Sequence, residues 1–265
     1  MIKLVNVSKT FNPGTITEKR AVKRTNLELR EGDFVTVIGG NGAGKSTLLN
    51  LIAGVYEADT GSIILDGLDV TRKKEHERAA FLGRVFQDPM MGTAASMEIE
   101  ENLALAFRRG KKRGLRWGVT RQEREMYVKR LATLDLGLET RLHSKTGLLS
   151  GGQRQALTLL MATLQKPRLL LLDEHTAALD PKTAAKVLDL TESLIGGEGL
   201  TAFMVTHNMR HAIRYGNRLI MMTDGRIIYD VCGEEKRSLE VNDLLKKFEQ
   251  AGGGASDRMI LSGAG

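Results

Sequence analysis

The apolar positions of this chain alternate between two patterns, and together these predict an α/β fold. Short strand-like runs, "DFVTVIG", "RLLLLD" and "TAFMVTH", each precede a longer segment with helical spacing. The run from Leu169 to Leu172 is apolar at every position, as in strands covered on both faces. Such alternation is typical of a mostly parallel sheet with helices packed on it.

Three strand-like pieces differ from this pattern. The segments "GSIILDG" and "RLIMMTDGRIIYD" each contain an Asp-Gly turn signal, and the N-terminus alternates as a strand does. They predict an antiparallel β layer. From about residue 88 to 165 the strand signal disappears, which predicts a helical subdomain inserted into the α/β core. One domain is therefore expected over 1–230, followed by a C-terminal extension over 231–265 whose Gly-rich end is expected to be mobile.

Composition excludes several classes of protein. With 42% hydrophobic residues in 265, the chain can bury a sizeable core. No apolar run approaches the roughly 18 residues of a membrane span, and the N-terminus lacks the features of a signal peptide. A cytoplasmic protein is expected. A single cysteine, Cys232, excludes a disulfide framework and a cysteine-cluster metal site.

The charge suggests an anionic partner, because the net charge is +7 and the pI is near 9.5. Six basic residues and no acidic ones lie in 108–118, "RRGKKRGLRWG". A solvated loop is the favoured interpretation, since surfaces that contact bases interleave aromatic residues and only Trp117 is present. The alternative is a loop that lies against anionic lipid headgroups.

A phosphate-binding loop is the strongest chemical signal. The stretch "GGNGAGKST" matches G-x-x-x-x-G-K-S through Gly39, Gly44, Lys45 and Ser46, with an apolar strand before it and a helix after it. Glycines let the backbone wrap the phosphates, the lysine neutralises the β- and γ-phosphates, and the serine hydroxyl can ligate Mg²⁺. The alternative, a Gly-rich turn with an incidental lysine, fits these flanks poorly.

Polar residues that follow other strands complete a candidate site. In "LLLLDE", Asp173 suits a Mg²⁺-holding role, and Glu174 can polarise the water that attacks the γ-phosphate. His207 directly follows an apolar strand, where it can contact the γ-phosphate. The carbonyl of Gln87 can bond to a Mg²⁺-bound water. Phe11 can offer a ring face to adenine, although core packing is the commoner role of such a residue.

The stretch "LLSGGQRQ" is a second glycine-rich helix start, and it completes a series. Taken in order, "GGNGAGKST", Gln87, "LSGGQ", "LLLLDE", "AALD" and His207 resemble the nucleotide-binding subunit of ATP-binding cassette (ABC) transporters over residues 2–230. The resemblance implies a P-loop NTPase core and a head-to-tail homodimer. Each ATP would lie between the phosphate loop of one protomer and the "LSGGQ" of the other, while Ser150 would also cap its own helix.

The resemblance implies a role for each motif residue. Asp180 would communicate across the dimer, Phe11 would stack on adenine, and Gln87, followed by Met90 and Met91, would receive a helix of a membrane partner. The residues implied to hold ATP are Phe11, Gly39, Asn41, Gly42, Gly44, Lys45, Ser46, Thr47, Ser150, Gly151, Gly152, Gln153 and Asp180. Those implied in hydrolysis are Glu174, His207 and Gln87, and those implied to hold Mg²⁺ are Ser46, Gln87 and Asp173.

The sequence departs from the family pattern at two places. The family usually has proline after the catalytic glutamate, and this chain has His175. The stretch "LSGGQ" is called the signature below. The helix after it, "ALTLLMATL", replaces a more usual arginine- and alanine-rich helix. These variants resemble a branch linked to the uptake of amino acids or related small solutes.

The predicted function is ATP hydrolysis that drives solute uptake through separate membrane permease subunits, together with a separate solute-binding protein. The chain would sit on the cytoplasmic face of the cell membrane, with no nucleic acid partner. Export and a soluble ABC ATPase acting on ribosomes or nucleic acid are alternatives. A generic P-loop kinase would leave "LSGGQ" and His207 without a purpose.

Overall fold

The computed structural model describes residues 1–111 and 118–251. The chain divides into two compact units, Met1–Arg78 with Leu200–Gly265, and Ala79–Gly199. Residues 112–117 of the predicted basic loop and the Gly-rich tail from 252 onward lie outside the described residues. Within the described ranges, no helix combines the length and the apolar character needed to cross a bilayer.

Strands and helices alternate along most of the chain. The strands and the α-helices are, in chain order, β1 Ile2–Phe11, β2 Lys19–Leu29, β3 Phe34–Ile38, α1 Lys45–Ala53, β4 Thr60–Leu65, β5 Leu68–Asp69, α2 Glu75–Arg78, β6 Leu82–Val85, α3 Ile99–Phe107, α4 Arg121–Ala132, α5 Gly151–Thr163, β7 Leu169–Asp173, α6 Pro181–Glu198, β8 Ala202–Val205, α7 Met209–Arg214, β9 Arg218–Thr223, β10 Arg226–Cys232, α8 Gly233–Arg237 and α9 Val241–Gln250. Short 3-10 helices occupy Pro89–Gly92, Leu138–Thr140 and Thr146–Leu148.

The first unit contains the predicted antiparallel layer, with strand order β2-β1-β4-β5. The predicted turn of "GSIILDG" joins β4 to β5 as a hairpin. Sequence analysis missed β2. Its alternation is present, since Thr25, Leu27 and Leu29 are buried and the residues between them are exposed, but lysines and arginines obscure the pattern.

The second sheet of this unit is mostly parallel. Strand β3 pairs in parallel with β8 and with β9, and β9 pairs antiparallel with β10. The prediction that the hairpin "RLIMMTDGRIIYD" joins the N-terminal layer was therefore wrong. Residues Leu219–Met222 are buried along both faces of β9, which suits an interior strand, whereas most of β10 alternates between exposed and half-buried positions.

In the second unit, β6 pairs in parallel with β7, and helices account for the described elements from 88 to 165. The helices α3, α4 and α5 enclose an apolar cluster that includes Ile99, Leu103, Tyr127, Leu131 and Leu157. The α/β class and the mostly parallel sheet predicted from the sequence are confirmed.

The C-terminal helices pack onto the first unit. Leu244 and Phe248 of α9 are buried in a cluster with Ile38, Met209 and Leu219. Lys236 of α8 is 2% exposed, and its Nζ donates to the carbonyl oxygens of Ile213 (3.0 Å), Tyr215 (2.6 Å) and Gly216 (2.9 Å). It thereby supplies a donor to carbonyls at the C-terminal end of α7, where a helix runs out of its own backbone donors.

We expect Lys236→Met to lower the free energy of unfolding by about 2–4 kcal/mol, because the methionine fills the space but leaves one buried and two partly buried carbonyls without this donor. Urea unfolding followed by circular dichroism measures the change. Lys246→Met is the control, since Lys246 is exposed on α9. Equal stability of the two variants would contradict a capping role for Lys236.

Candidate functional site

The phosphate loop connects β3 to α1 in the first unit. Gly44 lies directly before α1 with φ 99° and ψ 1°, a conformation that favours glycine. A Cβ on Gly44 would lie 2.3 Å from the carbonyl oxygen of Ala21 in β2, so no larger residue fits. The backbone therefore turns tightly into α1, whose first N–H groups can bind an anion.

Lys45 is 7% exposed, and its Nζ donates to the carbonyl oxygens of Gly39 (2.8 Å) and Gly40 (3.1 Å). Its ammonium is thus held against the loop. Asn41, Gly42 and Ser46 are exposed, and Thr47 is half-buried. The polar groups of the loop therefore face solvent where a phosphate can reach them.

Sequence analysis missed a second cation beside this loop. A Cβ on Gly42 would lie 2.9 Å from Nζ of Lys19, at the start of β2. Because β2 itself was not predicted, nothing in the sequence placed Lys19 near residue 42. The charge of this lysine adds to the positive potential around the loop.

His207 and the phosphate loop lie at the carboxyl ends of two neighbouring parallel strands. Val37 of β3 is in register with Val205 of β8, and the Thr206 N–H donates to the Val37 carbonyl at 3.0 Å. Asn208 caps α7 by accepting from the His211 N–H at 3.1 Å. Burial, followed by the nearby His207 and Arg214, lowers the pKa of His211. The first unit thus places His207 and the start of the phosphate loop at the same end of the sheet.

Phe11 lies at the end of β1, and its ring makes an edge-to-face contact with Tyr56, with ring centroids 5.2 Å apart. This contact corresponds to the packing alternative considered for Phe11. Lys9 Nζ lies 5.9 Å from the Phe11 ring centroid. The ring is half-buried, so part of it remains accessible.

The second unit places Gln87, Asp173 and Glu174 after the carboxyl ends of two neighbouring parallel strands. Val85 of β6 is in register with Leu172 of β7, so the residues that follow both strands share one edge. Gln87 is exposed, and the two carboxylate residues are half-buried. Oδ2 of Asp173 lies 3.7 Å from a guanidinium nitrogen of Arg84. Glu174 has φ +43°, a left-handed conformation that is uncommon for a residue with a side chain.

The "LSGGQ" stretch forms the start of α5. Ser150 Oγ accepts from the Gln153 N–H at 3.3 Å, and Gln153 Oε1 accepts from the Ser150 N–H at 3.2 Å. This capping box confirms the predicted N-cap role of Ser150. A Cβ on Gly152 would lie 2.2 Å from Cγ2 of Thr183, so Gly152 is required for close packing against the first turn of α6.

Asp180 is the N-cap of that same helix, because its Oδ1 accepts from the Thr183 N–H at 3.1 Å. Hydrogen bonds from the Thr183 side chain and backbone lower the pKa of Asp180. Gly152 and Asp180 therefore both lie next to Thr183. The start of the signature helix and the "AALD" loop are packed together within this unit.

Two residues of "GGQRQ" hold neighbouring loops and were not singled out in the sequence. Nε2 of Gln155, which is fully buried, donates to the Phe86 carbonyl at 3.1 Å, directly before Gln87. Arg154 donates to the carbonyls of Thr146 and Gly147, both at 3.0 Å. Their role could have been inferred from the presence of two polar residues at the start of an otherwise apolar helix, because buried polar side chains need hydrogen-bond partners.

Comparisons with known proteins identify the relatives of this chain. A family model described as ABC transporter matches residues 22–177. A tyrosine transport ATP-binding protein of Clostridioides difficile is 43% identical over 95% of this chain and 100% of its own length. The methionine import ATP-binding protein MetN of Geobacillus kaustophilus is 36% identical over 86% of this chain and 64% of its own length. The dimeric cassette MJ0796 of Methanocaldococcus jannaschii, solved with ADP and Pi, has a TM-score of 0.73 and 32% identity, and the match covers 88% of this chain and 98% of that chain.

Proposed function

The chain belongs to the ABC transporter family as its ATP-hydrolysing subunit, and on that premise we propose that it drives the uptake of an amino acid, tyrosine or a related compound, through separate membrane subunits. The observation that carries this proposal is the 43% identity that extends along the whole tyrosine transport protein. The methionine import relative supports the direction of transport and the class of solute.

We assign the nucleotide contacts to the residues that the motifs single out. Lys45 and the backbone of 39–47 bind the β- and γ-phosphates, Phe11 stacks on adenine, and His207 contacts the γ-phosphate. Glu174 polarises the attacking water. The supporting observations are the tight turn at Gly44, the Lys45 ammonium held at the loop, and the place of His207 at the neighbouring strand end.

Mg²⁺ is the metal that fits this set of donors. Ser46 offers a hydroxyl, Gln87 an amide oxygen and Asp173 a carboxylate, and hard cations prefer oxygen ligands of these kinds. The ion would neutralise charge that develops on the phosphates during hydrolysis. Ser46 and Gln87 are exposed and Asp173 is half-buried, so each side chain is accessible to Mg²⁺ from solution.

We propose that two copies of the chain enclose two ATP molecules, with Ser150, Gly151, Gly152 and Gln153 of each protomer covering the nucleotide of the other. Ser150 and Gly151 are exposed at the start of α5, where the helix N-terminus favours an anion. The Ser150 hydroxyl accepts from Gln153 and can still donate its own proton to a phosphate. The dimeric structure of MJ0796 supports this assembly.

The partners follow from the same proposal. Permease subunits span the membrane, the ATPase dimer attaches to them on the cytoplasmic face, and a separate solute-binding protein delivers the amino acid. Met90 and Met91, three and four residues after Gln87, are exposed and offer a permease helix an adaptable apolar contact.

Purification of the tagged chain from membranes tests the proposal. We expect permease subunits to co-purify, and the complex in liposomes to take up tyrosine when ATP is supplied on the ATPase side. Efflux alone would favour the export alternative. Recovery with ribosomes and without a membrane subunit would favour the soluble ABC ATPase.

A further inference from the structure

His175 is a buried polar residue to which the proposed function gives no task. It directly follows Glu174, and its side chain is 1% exposed. Its ring Nε2 lies 3.1 Å from Oγ1 of Thr191, which is also 1% exposed, ten residues after the first residue of α6. The contact therefore joins the residue after the proposed catalytic base to the middle of a helix.

The chemistry of this contact sets the direction of the hydrogen bond. Oγ1 of Thr191 donates its single proton to the Val187 carbonyl one turn earlier, at 2.7 Å. The hydroxyl oxygen can then only accept from His175, so the ring carries a proton on Nε2. The contact with Thr191 therefore needs a hydrogen-bond donor at position 175, and an apolar side chain does not supply one.

The backbone beside this contact needs to be held in place. Glu174 has φ +43°, which costs about 1–2 kcal/mol for a residue with a Cβ. Such conformations persist where the surrounding structure fixes them. A turn in which the Ala177 N–H donates to the Glu174 carbonyl at 2.9 Å supplies one constraint.

The segment from Glu174 to Asp180 is attached to α6 at two points. Asp180 caps the first turn of the helix, and His175 bonds to Thr191, about 15 Å further along the helix axis. Two attachments this far apart fix both the position and the direction of the segment. The Asp180 cap lies at the far end of the segment from Glu174, so the His175 contact is the attachment to α6 that lies nearest to Glu174.

We propose that His175 is a positioning residue for hydrolysis: its hydrogen bond to Thr191 holds Glu174 in the left-handed conformation that aims the carboxylate at the attacking water. This inference rests on the proposed role of Glu174. We expect ATP binding to depend little on the bond, because Lys45 and the phosphate loop, which are proposed to bind the β- and γ-phosphates, belong to a different part of the chain, the first compact unit.

Matched substitutions in the full-length chain test the proposal. His175→Phe and Thr191→Val keep an aromatic ring and a β-branched side chain and remove the hydrogen bond, whereas His175→Gln and Thr191→Ser keep a donor and an acceptor. We expect the first pair to lower kcat by about 10- to 100-fold, because small displacements of a catalytic group cost that much. The dissociation constant for ATP should stay unchanged, and the second pair should keep most of the wild-type kcat.

Thermal unfolding of each variant and the kinetics of Glu174→Gln distinguish the outcomes. If His175→Gln and Thr191→Ser lose as much activity as the other pair, or if kcat falls only in proportion to folded protein, His175 has a purely structural role and the proposal is overturned. Wild-type kcat in His175→Phe and Thr191→Val, with Glu174→Gln inactive, overturns this inference alone. An active Glu174→Gln overturns the proposed role of Glu174 and this inference with it.

Discussion

Glu174→Gln is expected to reduce ATP hydrolysis by about 10²- to 10⁴-fold while ATP binding is retained. Glutamine keeps the size and the hydrogen-bonding capacity of the side chain but cannot accept the proton of the attacking water. Because the substitution leaves the phosphate loop intact, the ATP-bound dimer should accumulate instead of turning over.

Phosphate release measures the loss of turnover, and equilibrium binding of labelled ATP measures the retained affinity. Glu192→Gln is the matched control, since Glu192 is exposed on α6 and the same charge is removed. The control should hydrolyse ATP at the wild-type rate. Near-normal turnover in Glu174→Gln would mean that another residue positions the water.

Mixing two defective chains should restore one nucleotide site if that site is built across a dimer. Lys45→Ala removes the charge of the phosphate loop, and Ser150→Arg places a bulky side chain at the exposed start of α5. Each homodimer contains the same defect in both of its sites. Both homodimers are therefore expected to occlude almost no ATP.

The mixed dimer distinguishes the two possible arrangements. If the loop and "LSGGQ" of one chain served the same ATP, every site would contain one defect. If they meet across the interface, one site contains both defects and the other contains none. The intact site pairs the phosphate loop of the Ser150→Arg chain with the signature of the Lys45→Ala chain.

If the sites are built across the interface, tethering the two chains and counting occluded ATP should give about one site per dimer. ATP binds to and stabilises only the intact site. Occlusion is a better measurement than steady turnover, because hydrolysis can require both sites to close. Loss of the Ser150 cap costs about 0.5–2 kcal/mol, so thermal unfolding must show that the Ser150→Arg chain is folded. No gain of occluded ATP in the tethered dimer would rule out the proposed role of "LSGGQ".

The phosphate loop and the signature illustrate what could be predicted and why. Gly44, Lys45 and Ser150 were identified because each lies in a short motif whose function depends on neighbours in sequence: a turn, a helix start and a cap. Lys19 and Gln155 were missed because their partners, Gly42 and Phe86, are 23 and 69 residues away. No local pattern encodes such pairs.

The hairpin "RLIMMTDGRIIYD" shows the same limit at the level of the fold. Its Asp-Gly turn and its two strands were evident from the sequence, but its sheet was not. Whether β9 extends the N-terminal layer or lies beside β3 depends on which surface can cover both of its apolar faces, and that is settled by packing among distant segments.

The sequence by itself determined the α/β class, the order of the motifs and the family, because local hydrogen bonding, turn chemistry and hydrophobic period are properties of neighbouring residues. Only the tertiary structure showed how closely Gly152 approaches α6 and that Lys236 donates to carbonyls at the end of α7. It also showed that His175 bonds to Thr191 next to Glu174, whose backbone is strained. Each of these contacts joins groups that are distant in sequence. Their geometry exists only once burial of the core has brought the elements together.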